Sequence, residues 1–337
     1  MSLRPEDRSA SGLVALARKR VLVKAGPSGS ALLALGLSER EFQGERFAGV
    51  RQPLLGNYDV LTLTQPTLVE RVHREYLEAG ADLIETNTFN AQAISQRKFG
   101  LEREVYELNF AAARLSRRIA DRFSELDPER PRFVIGNLGP SELALSRMPA
   151  GEEREWEFER VRMAYAEQAR ALIEGGVHAL LLETVYDEET ARASIAGIRA
   201  SADAAGQALP LLLSVTPARD GRMASGRTFS EVLAAFEGAR PWAFGLNCGF
   251  GPESVAEPLE ALAGQASCLL SAYPNAGLPD ALRRYPDAAG VVTRVAACAA
   301  RGLVNIVGGC CGTTSREIHA LARAVDGMAP RRYDPAP

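Results

Sequence analysis

The chain has 337 residues, of which 46% are hydrophobic and 24% are charged, and its formal net charge is −3. This composition is typical of a soluble protein with one large domain or two smaller ones. The small negative charge gives no general electrostatic reason to bind nucleic acid, and no basic stretch carries interleaved aromatic residues.

No membrane or secretion signal is evident. The longest apolar runs, such as residues 179–182, are far shorter than the roughly 20 residues that a bilayer requires. Residues 1–8 lack the apolar core of a signal peptide, so we expect a cytoplasmic protein with no membrane partner. In that setting an odd number of cysteines, five here, favours metal binding or catalysis over a disulfide framework.

Short β-type runs alternate with longer helical patterns along the whole chain. Residues 1–20 predict a loose start and a short helix over 13–20. Apolar residues then recur at helical spacing in segments such as 68–79, 158–174 and 229–237. The predicted strands are 21–23, 83–86, 133–136, 179–182, 211–214, 243–247, 268–271 and 304–307.

Eight strands alternating with helices indicate a single-domain (β/α)₈ TIM barrel of the α/β class. We place an N-terminal extension at 1–20, the barrel at 21–328 and a C-terminal tail at 329–337, which we expect to fray from Tyr333. Residues 35–57 are expected to form an excursion over the barrel mouth. An open doubly wound sheet is the alternative, but no glycine-rich dinucleotide fingerprint follows an early strand.

Polar residues recur where the predicted strands end, which is where TIM barrels gather their catalytic groups. For each of them a helix cap, a turn or core packing is the alternative role. Lys24, at the end of the first strand, would be costly if buried alone, so we expect it to meet a carboxylate, an anionic ligand or water. The candidate substrate-binding residues are Glu85, Asn137, Glu183, Ser214 and Asn247, with Asn87, Tyr273 and Asn275 near them.

Two adjacent cysteines, Cys310 and Cys311, lie between glycines after the eighth strand. Consecutive Cα atoms are about 3.8 Å apart, whereas an unstrained disulfide needs roughly 4.4–6.8 Å, so a bond between these two is disfavoured. Neighbouring side chains of a strand point to opposite faces. Both thiols therefore reach one ion only where the backbone leaves the strand, which Gly308, Gly309 and Gly312 permit.

Cys248 ends the sixth strand, so three thiols can converge at one mouth and hold one zinc ion per chain with a fourth position open. A thiol substrate bound there is deprotonated, and the thiolate is the nucleophile, which favours alkyl transfer to sulfur. The three histidines lie away from the strand ends, which disfavours a hydrolytic site. Cys268 and Cys298 are interpreted as core residues.

Several segments resemble, in order, the homocysteine S-methyltransferase family, and most of all the homocysteine-binding barrel of cobalamin-dependent methionine synthase. The resemblance implies that Cys248, Cys310 and Cys311 are the catalytic zinc ligands. It also implies that the sulfur of homocysteine takes the open position and that Glu183 helps to hold its amino group. The matching segments are 42–47, 78–90, 139–140, 182–187, 244–248, 274–279 and 308–314.

The first strand departs from the family pattern, which begins Asp-Gly there. The aligned stretch is 25–30, with Ala25 at the aspartate position and Lys24 before it. The resemblance implies that this aspartate contacts the amino group of the acceptor. Its loss would remove about 1.5–3 kcal/mol, or one to two orders of magnitude in affinity, and so indicates a weak enzyme or a different thiol acceptor.

The predicted reaction methylates homocysteine, or a related thiol, to give methionine. Because the resemblance implies a cobalamin-borne methyl group and the chain shows no corrinoid or folate domain, we expect a separate methyl-corrinoid protein as partner. A betaine- or S-methylmethionine-type enzyme is the first alternative, with Trp242, Tyr58 and Tyr273 as candidates to surround a cationic donor. A degenerate, non-catalytic barrel that binds zinc or thiols is the second, motivated by Ala25.

Overall fold

Eight parallel strands form one sheet in the computed structural model, which describes residues 8–216, 222–223, 225–249, 251–281 and 284–334. The sheet order is β1-β8-β7-β6-β5-β4-β3-β2. All eight predicted strands are confirmed, and five of them run one to three residues past the ends predicted at 136, 182, 214, 247 and 271. The strands are β1 (Leu22–Val23), β2 (Leu83–Glu85), β3 (Phe133–Leu138), β4 (Ala179–Val185), β5 (Leu211–Val215), β6 (Ala243–Cys248), β7 (Leu269–Pro274) and β8 (Ile306–Val307).

The two edges of this sheet meet between β1 and β2. Lys24 and Leu83 form an isolated parallel bridge, and the Ala25 amide donates to the Leu83 carbonyl at 2.8 Å. The Asp82 amide donates to the Val23 carbonyl at 2.7 Å on the same seam. The architecture is therefore the predicted single-domain (β/α)₈ barrel and not an open doubly wound sheet.

Helices follow the strands and surround them. The segments predicted to be helical, 68–79, 158–174 and 229–237, correspond to the helices Pro66–Glu78, Glu152–Gly175 and Phe229–Ala235. Thr228 caps the last of these with a capping box, because its hydroxyl accepts from the Glu231 amide while the Glu231 carboxylate accepts from the Thr228 amide. No helix in the described ranges is long and apolar enough to cross a membrane. The α-helices are α1 (Ala10–Ala17), α2 (Ser28–Leu33), α3 (Glu39–Gln43), α4 (Leu61–Thr64), α5 (Pro66–Glu78), α6 (Ala93–Gln96), α7 (Val105–Leu126), α8 (Glu152–Gly175), α9 (Glu188–Ala204), α10 (Phe229–Ala235), α11 (Ala256–Ala263), α12 (Ala288–Ala300) and α13 (Ser315–Val325), and the 3₁₀ helices are Tyr58–Val60, Arg97–Phe99, Leu145–Arg147, Glu237–Ala239 and Pro252–Ser254.

Both ends of the described chain pack on the barrel. The predicted N-terminal helix begins earlier than expected, as α1, and its Leu13 and Ala17 are fully buried against residues at the strand starts. Near the other end, the Arg331 guanidinium donates to the carbonyls of Ala263, Ala266 and Cys268. Tyr333 packs against the same apolar cluster as α1, so the predicted fraying does not begin there, and 335–337 lie outside the described residues.

The barrel interior has an apolar lower part and a polar upper part. Side chains alternate along each strand, so every second residue points inward. Near the strand starts these inward residues form one buried apolar cluster. Two to four positions further along β1 to β7, the inward residues become polar and line or support the mouth. The cluster contains Leu13, Ala17, Leu22, Leu83, Phe133, Ile135, Ala179, Leu181, Leu212, Ala243, Leu269 and Ile306.

Gly245 is an inward position of β6 that has no room for a side chain. A Cβ atom there would lie 2.0 Å from Ser271 Oγ and 2.2 Å from Ser271 O on the neighbouring β7. Contacts this short with a backbone carbonyl are relieved only if β6 and β7 separate. Glycine is therefore required for the close pairing of the two strands whose ends carry Cys248 and Pro274.

Gly245→Ala is expected to lower the free energy of unfolding. Overpacking typically costs about 1–3 kcal/mol, and we expect a value near the upper end of this range. Gly264→Ala is the control, because a Cβ atom at Gly264 meets nothing within 4 Å and its φ is −81°. Denaturant titrations of both variants measure the difference. Equal stability of the two variants would contradict the packing described for β6 and β7.

Candidate active site

Three cysteine thiols meet at the mouth of the barrel. The Sγ atoms of Cys248 and Cys310 are 3.0 Å apart, those of Cys310 and Cys311 are 4.0 Å apart, and all three atoms lie within 4.8 Å of one another. None of the three forms a disulfide. The structure thus brings together the thiols that the sequence placed at the ends of the sixth and eighth strands.

Cys248 reaches this cluster because its backbone leaves the regular strand conformation. Asn247 points inward, so regular alternation would turn Cys248 away from the mouth. Its φ of 54° lies in the left-handed region, which is uncommon for residues other than glycine and often marks functional sites. The Asn247 side chain holds the sulfur there, since Nδ2 donates to Cys248 Sγ at 3.3 Å.

Glycines shape the loop that carries the other two thiols. The Cys310 amide donates to the Pro274 carbonyl at 2.9 Å, which ties this loop to the end of β7. Gly312 has φ 85°, and a Cβ atom there would lie 2.2 Å from the ring of Tyr285. Tyr285 therefore packs directly on the loop. This contact was not predicted from the sequence, because no regular element or motif signals it.

The cluster favours a thiolate. Hydrogen bonds from Cys248 and Cys310 lower the pKa of the Cys311 thiol, against its burial, and hydrogen bonds from Tyr285 and Ser30 act in the same direction. Hydrogen bonding within the cluster and burial raise the pKa of Cys310. One sulfur can therefore carry a negative charge that the neighbouring donors stabilise.

The three sulfurs fit a tetrahedral zinc site. Zinc–sulfur bonds of about 2.3 Å place ligand sulfurs roughly 3.8 Å apart, and the observed separations of 3.0 and 4.0 Å fall on either side of that value. No histidine joins the cluster, since His73 lies in α5, His178 precedes β4 and His319 lies in α13. An all-thiolate donor set of this kind suits a soft ion such as zinc.

A cavity of about 260 Å³ opens beside the thiols. Of the residues predicted to bind substrate, Glu85, Asn137 and Glu183 line it, and each is at least nine-tenths buried. The first β–α connection lines it through residues 27–30, Leu33, Tyr58 and Asp59, so the predicted excursion 35–57 does not form the cavity wall. The other lining residues are Lys24, Thr86, Asn87, Thr88, Phe89, Asn90, Thr184, Cys248, Gly309, Cys310 and Cys311.

Asn137 joins two carboxyl groups in this cavity. Its Nδ2 donates to Glu183 Oε2 at 3.1 Å and lies 3.5 Å from Glu85 Oε2. Burial, reinforced by the charge of Glu85, raises the pKa of Glu183 to about 8. Glu183 therefore gains a proton near neutral pH and loses it when a cation approaches.

Ser214 and Asn247 lie beneath the cavity. Ser214 Oγ donates to Asn247 Oδ1 at 2.7 Å, and the Thr184 amide donates to the same oxygen at 3.2 Å. Both side chains are at most 1% exposed, and neither is among the cavity-lining residues. Their hydrogen bonds connect β5 and β4 to the residue that precedes Cys248.

Lys24, not Ala25, faces the cavity at the end of β1. Ala25 is 3% exposed and belongs to the apolar layer outside the barrel. The prediction that Ala25 occupies the place of an acceptor-binding aspartate was therefore wrong about which residue faces the cavity. Lys24 Nζ lies 2.8 Å from Glu85 Oε1, which confirms that the lysine meets a carboxylate. Burial opposes its charge, but Glu85 and Glu183 raise the pKa of Lys24, so it remains an ammonium.

The aromatic residues proposed to surround a cationic donor do not form a cage. Trp242 was a wrong candidate, because it precedes β6 and packs against the apolar cluster at the opposite end of the barrel. The ring of Tyr273 lies under Lys24 Nζ, 4.3 Å from the ring centroid. Tyr58 lines the cavity, where Phe89 is the other aromatic residue among the described lining residues.

Comparisons with known proteins agree with this architecture. The chain is similar to the Escherichia coli homocysteine methyltransferase MmuM in its metallated form, with 21% sequence identity and a TM-score of 0.70. The alignment covers 92% of this chain and 98% of the MmuM chain. The oxidised form of the same protein is 20% identical, with the same TM-score and coverage. These likenesses establish the fold. A family model for homocysteine S-methyltransferase matches residues 29–325, so this chain belongs to the homocysteine S-methyltransferase family, as its sequence motifs predicted.

Proposed function

We propose that this enzyme transfers a methyl group to the sulfur of homocysteine or a closely related thiol, with zinc bound by Cys248, Cys310 and Cys311. The observation that carries the proposal is the convergence of three thiols on the wall of a buried polar cavity. Zinc held by thiolates would supply a position at which an acceptor thiol is deprotonated and remains nucleophilic at neutral pH. Membership of the family supports homocysteine as the acceptor.

The cavity residues divide into groups that contact the acceptor and groups that position the thiols. In this proposal Glu183 pairs with the ammonium of an amino-acid thiol, which is supported by its position in the cavity and by the hydrogen bond that its carboxyl accepts from Asn137. Asn247 acts through Cys248, whose sulfur it contacts, and Ser214 acts through Asn247. The proposed role of the last two is therefore positioning, in contrast to the substrate contact expected from their place at the strand ends.

The chemical step needs no protein acid or base at the methyl carbon. The thiol proton is released to bulk water as the acceptor binds, and the sulfur then attacks the methyl carbon. A sulfur–carbon bond forms while the bond between that carbon and the donor breaks, and its electron pair remains with the donor. Burial of Glu85, Asn137 and Glu183 keeps water away from the acceptor during this step.

For the donor, we propose a methyl-corrinoid carried by a separate protein that approaches the mouth from outside. A small cationic donor is usually held by several aromatic rings, whereas only Tyr58 and Phe89 are aromatic among the described residues that line the cavity. This lining favours a donor of another kind. S-methylmethionine and betaine are the alternative donors, and they remain compatible with the family assignment.

Cys310→Ala is expected to reduce the zinc content well below one ion per chain, because the remaining two thiols give too few ligands for a stable site. Cys298→Ala is the control, since Cys298 is a buried cysteine of α12 outside the cluster. Mass-spectrometric metal analysis measures zinc in both variants, and circular dichroism confirms that each remains folded. One zinc per chain in folded Cys310→Ala would contradict the ligand assignment.

We expect the affinity for homocysteine to rise relative to the affinity for its deamino analogue, 4-mercaptobutyrate, as the pH increases from about 6.5 to 8.5. Glu183, with a pKa of about 8, is protonated at the lower pH and becomes the carboxylate that pairs with an ammonium at the higher pH. Both ligands bind through a thiol, so the ratio of their calorimetric dissociation constants removes most of the pH dependence that comes from thiol ionisation, and Glu183→Gln measures what is left. The pH dependence of the ratio should be much smaller in Glu183→Gln than in the wild type, and an equal pH dependence in both proteins would refute this role.

A donor panel tests the proposed methyl source. With zinc-loaded enzyme and homocysteine, we expect methionine to form from methylcobalamin, or from a methyl-corrinoid carrier protein, as measured by mass spectrometry. Reactions without enzyme and with Cys310→Ala correct for the uncatalysed reaction. Turnover only with betaine, S-methylmethionine or S-adenosylmethionine would reject the corrinoid donor while leaving the thiol acceptor intact.

A further inference from the structure

The cavity contains a lysine that neutralises one of its carboxylates. Lys24 Nζ lies 2.8 Å from Glu85 Oε1, and the two side chains are 3% and 8% exposed. At this burial a charge interacts strongly with its neighbours, because little water screens it. A second cation that reaches the cavity therefore gains little attraction from Glu85.

Lys24 is held in this position by further contacts. Its Nζ also donates to the Ala25 carbonyl at 3.3 Å and lies 4.3 Å from the centroid of the Tyr273 ring. No other lysine or arginine is found among the described residues that line the cavity. The ammonium thus has a carboxylate, a carbonyl and an aromatic face as partners, and it stays beside Glu85.

The remaining carboxyl groups of the cavity differ in their partners. Glu183 receives a hydrogen bond from Asn137 but has no ion-pair partner among the described residues within 4.0 Å. Asp59 lies in a separate part of the wall, where its Oδ1 accepts from the Asn90 amide at 3.1 Å. Of the two carboxyl groups that Asn137 connects, Glu85 is already paired with Lys24, and Glu183 is available to an incoming ammonium.

We propose that Lys24 is a specificity-determining residue, which offsets the charge of Glu85 and so makes the pocket accept thiols without an amino group more readily than it would if both Glu85 and Glu183 could attract an ammonium. This inference rests on the proposed function, because it concerns the acceptor of that reaction. The expected acceptor class therefore includes short mercaptocarboxylates and other small thiols without an ammonium group, in addition to homocysteine.

Calorimetry with the zinc-loaded protein tests the charge relationship directly. The dissociation constants of homocysteine and 4-mercaptobutyrate are measured at one pH for the wild type, Lys24→Met, Glu85→Gln and the double variant Lys24→Met/Glu85→Gln. The measured quantity is the preference, which is the ratio of the two dissociation constants. The double variant is the matched control, because it removes both charges of the pair and leaves the net charge of the cavity unchanged.

Lys24→Met should increase the preference for homocysteine by about ten- to a hundredfold, since Glu85 then becomes a second carboxylate for the ammonium. Glu85→Gln should decrease it by a similar factor, because the unpaired Lys24 competes for Glu183 and repels the ligand cation. The double variant should return to the wild-type preference. If Lys24→Met does not fold, the opposite shift in Glu85→Gln and its recovery in the double variant still decide the question.

A preference that is unchanged in Lys24→Met and Glu85→Gln, with both thiols still binding, would overturn the role of Lys24 and leave the proposed function in place. Failure of both thiols to bind the wild-type zinc protein would overturn the proposed function and this inference together. Zinc analysis of every variant separates these outcomes from loss of the metal.

Discussion

The alternation of side chains along the barrel strands is the constraint on which the cavity depends. Inward positions near the strand starts are apolar and fill the barrel, so the polar inward residues at the strand ends have no space below them and must face the mouth. Glu85, Asn137 and Glu183 are all inward residues of this kind. The charged groups of the cavity are thus concentrated in one layer, where water is scarce and each charge affects the others.

The thiol cluster forms where the chain departs from that alternation. Cys248 follows an inward asparagine and reaches the mouth only through its left-handed backbone, while Cys310 and Cys311 lie beyond the end of β8 on a loop that Gly312 allows to turn. The same departures turn the thiols toward one another, although Cys248 still pairs with Pro274 of β7. Asn247 and Tyr285 then restrict the sulfur positions, which is what a preorganised ligand set requires.

Much of this arrangement could be predicted from the sequence, since eight apolar runs separated by helical patterns specify the barrel. Local residue types also identified the three thiols, because adjacent cysteines between glycines have few structural roles. The orientation of Lys24 and Ala25 could not be predicted, because a shift of one residue in the end of β1 exchanges the inward and outward faces. Tyr285 and Asp59 were missed for a different reason. Tyr285 lies in a loop and Asp59 in a short 3₁₀ helix, and the course of both segments depends on tertiary packing.

Lys24 pairs with Glu85, so of the two carboxyl groups that Asn137 connects only Glu183 has no ion-pair partner among the described residues, and it lies in the same cavity as a thiol cluster suited to zinc. The central claim is that this zinc binds the sulfur of the acceptor. X-ray absorption spectroscopy of the zinc-loaded protein, with and without homocysteine, tests it most directly. The account predicts three protein sulfurs at about 2.3 Å and a fourth when homocysteine is added. An unchanged sulfur count at saturating homocysteine would contradict it.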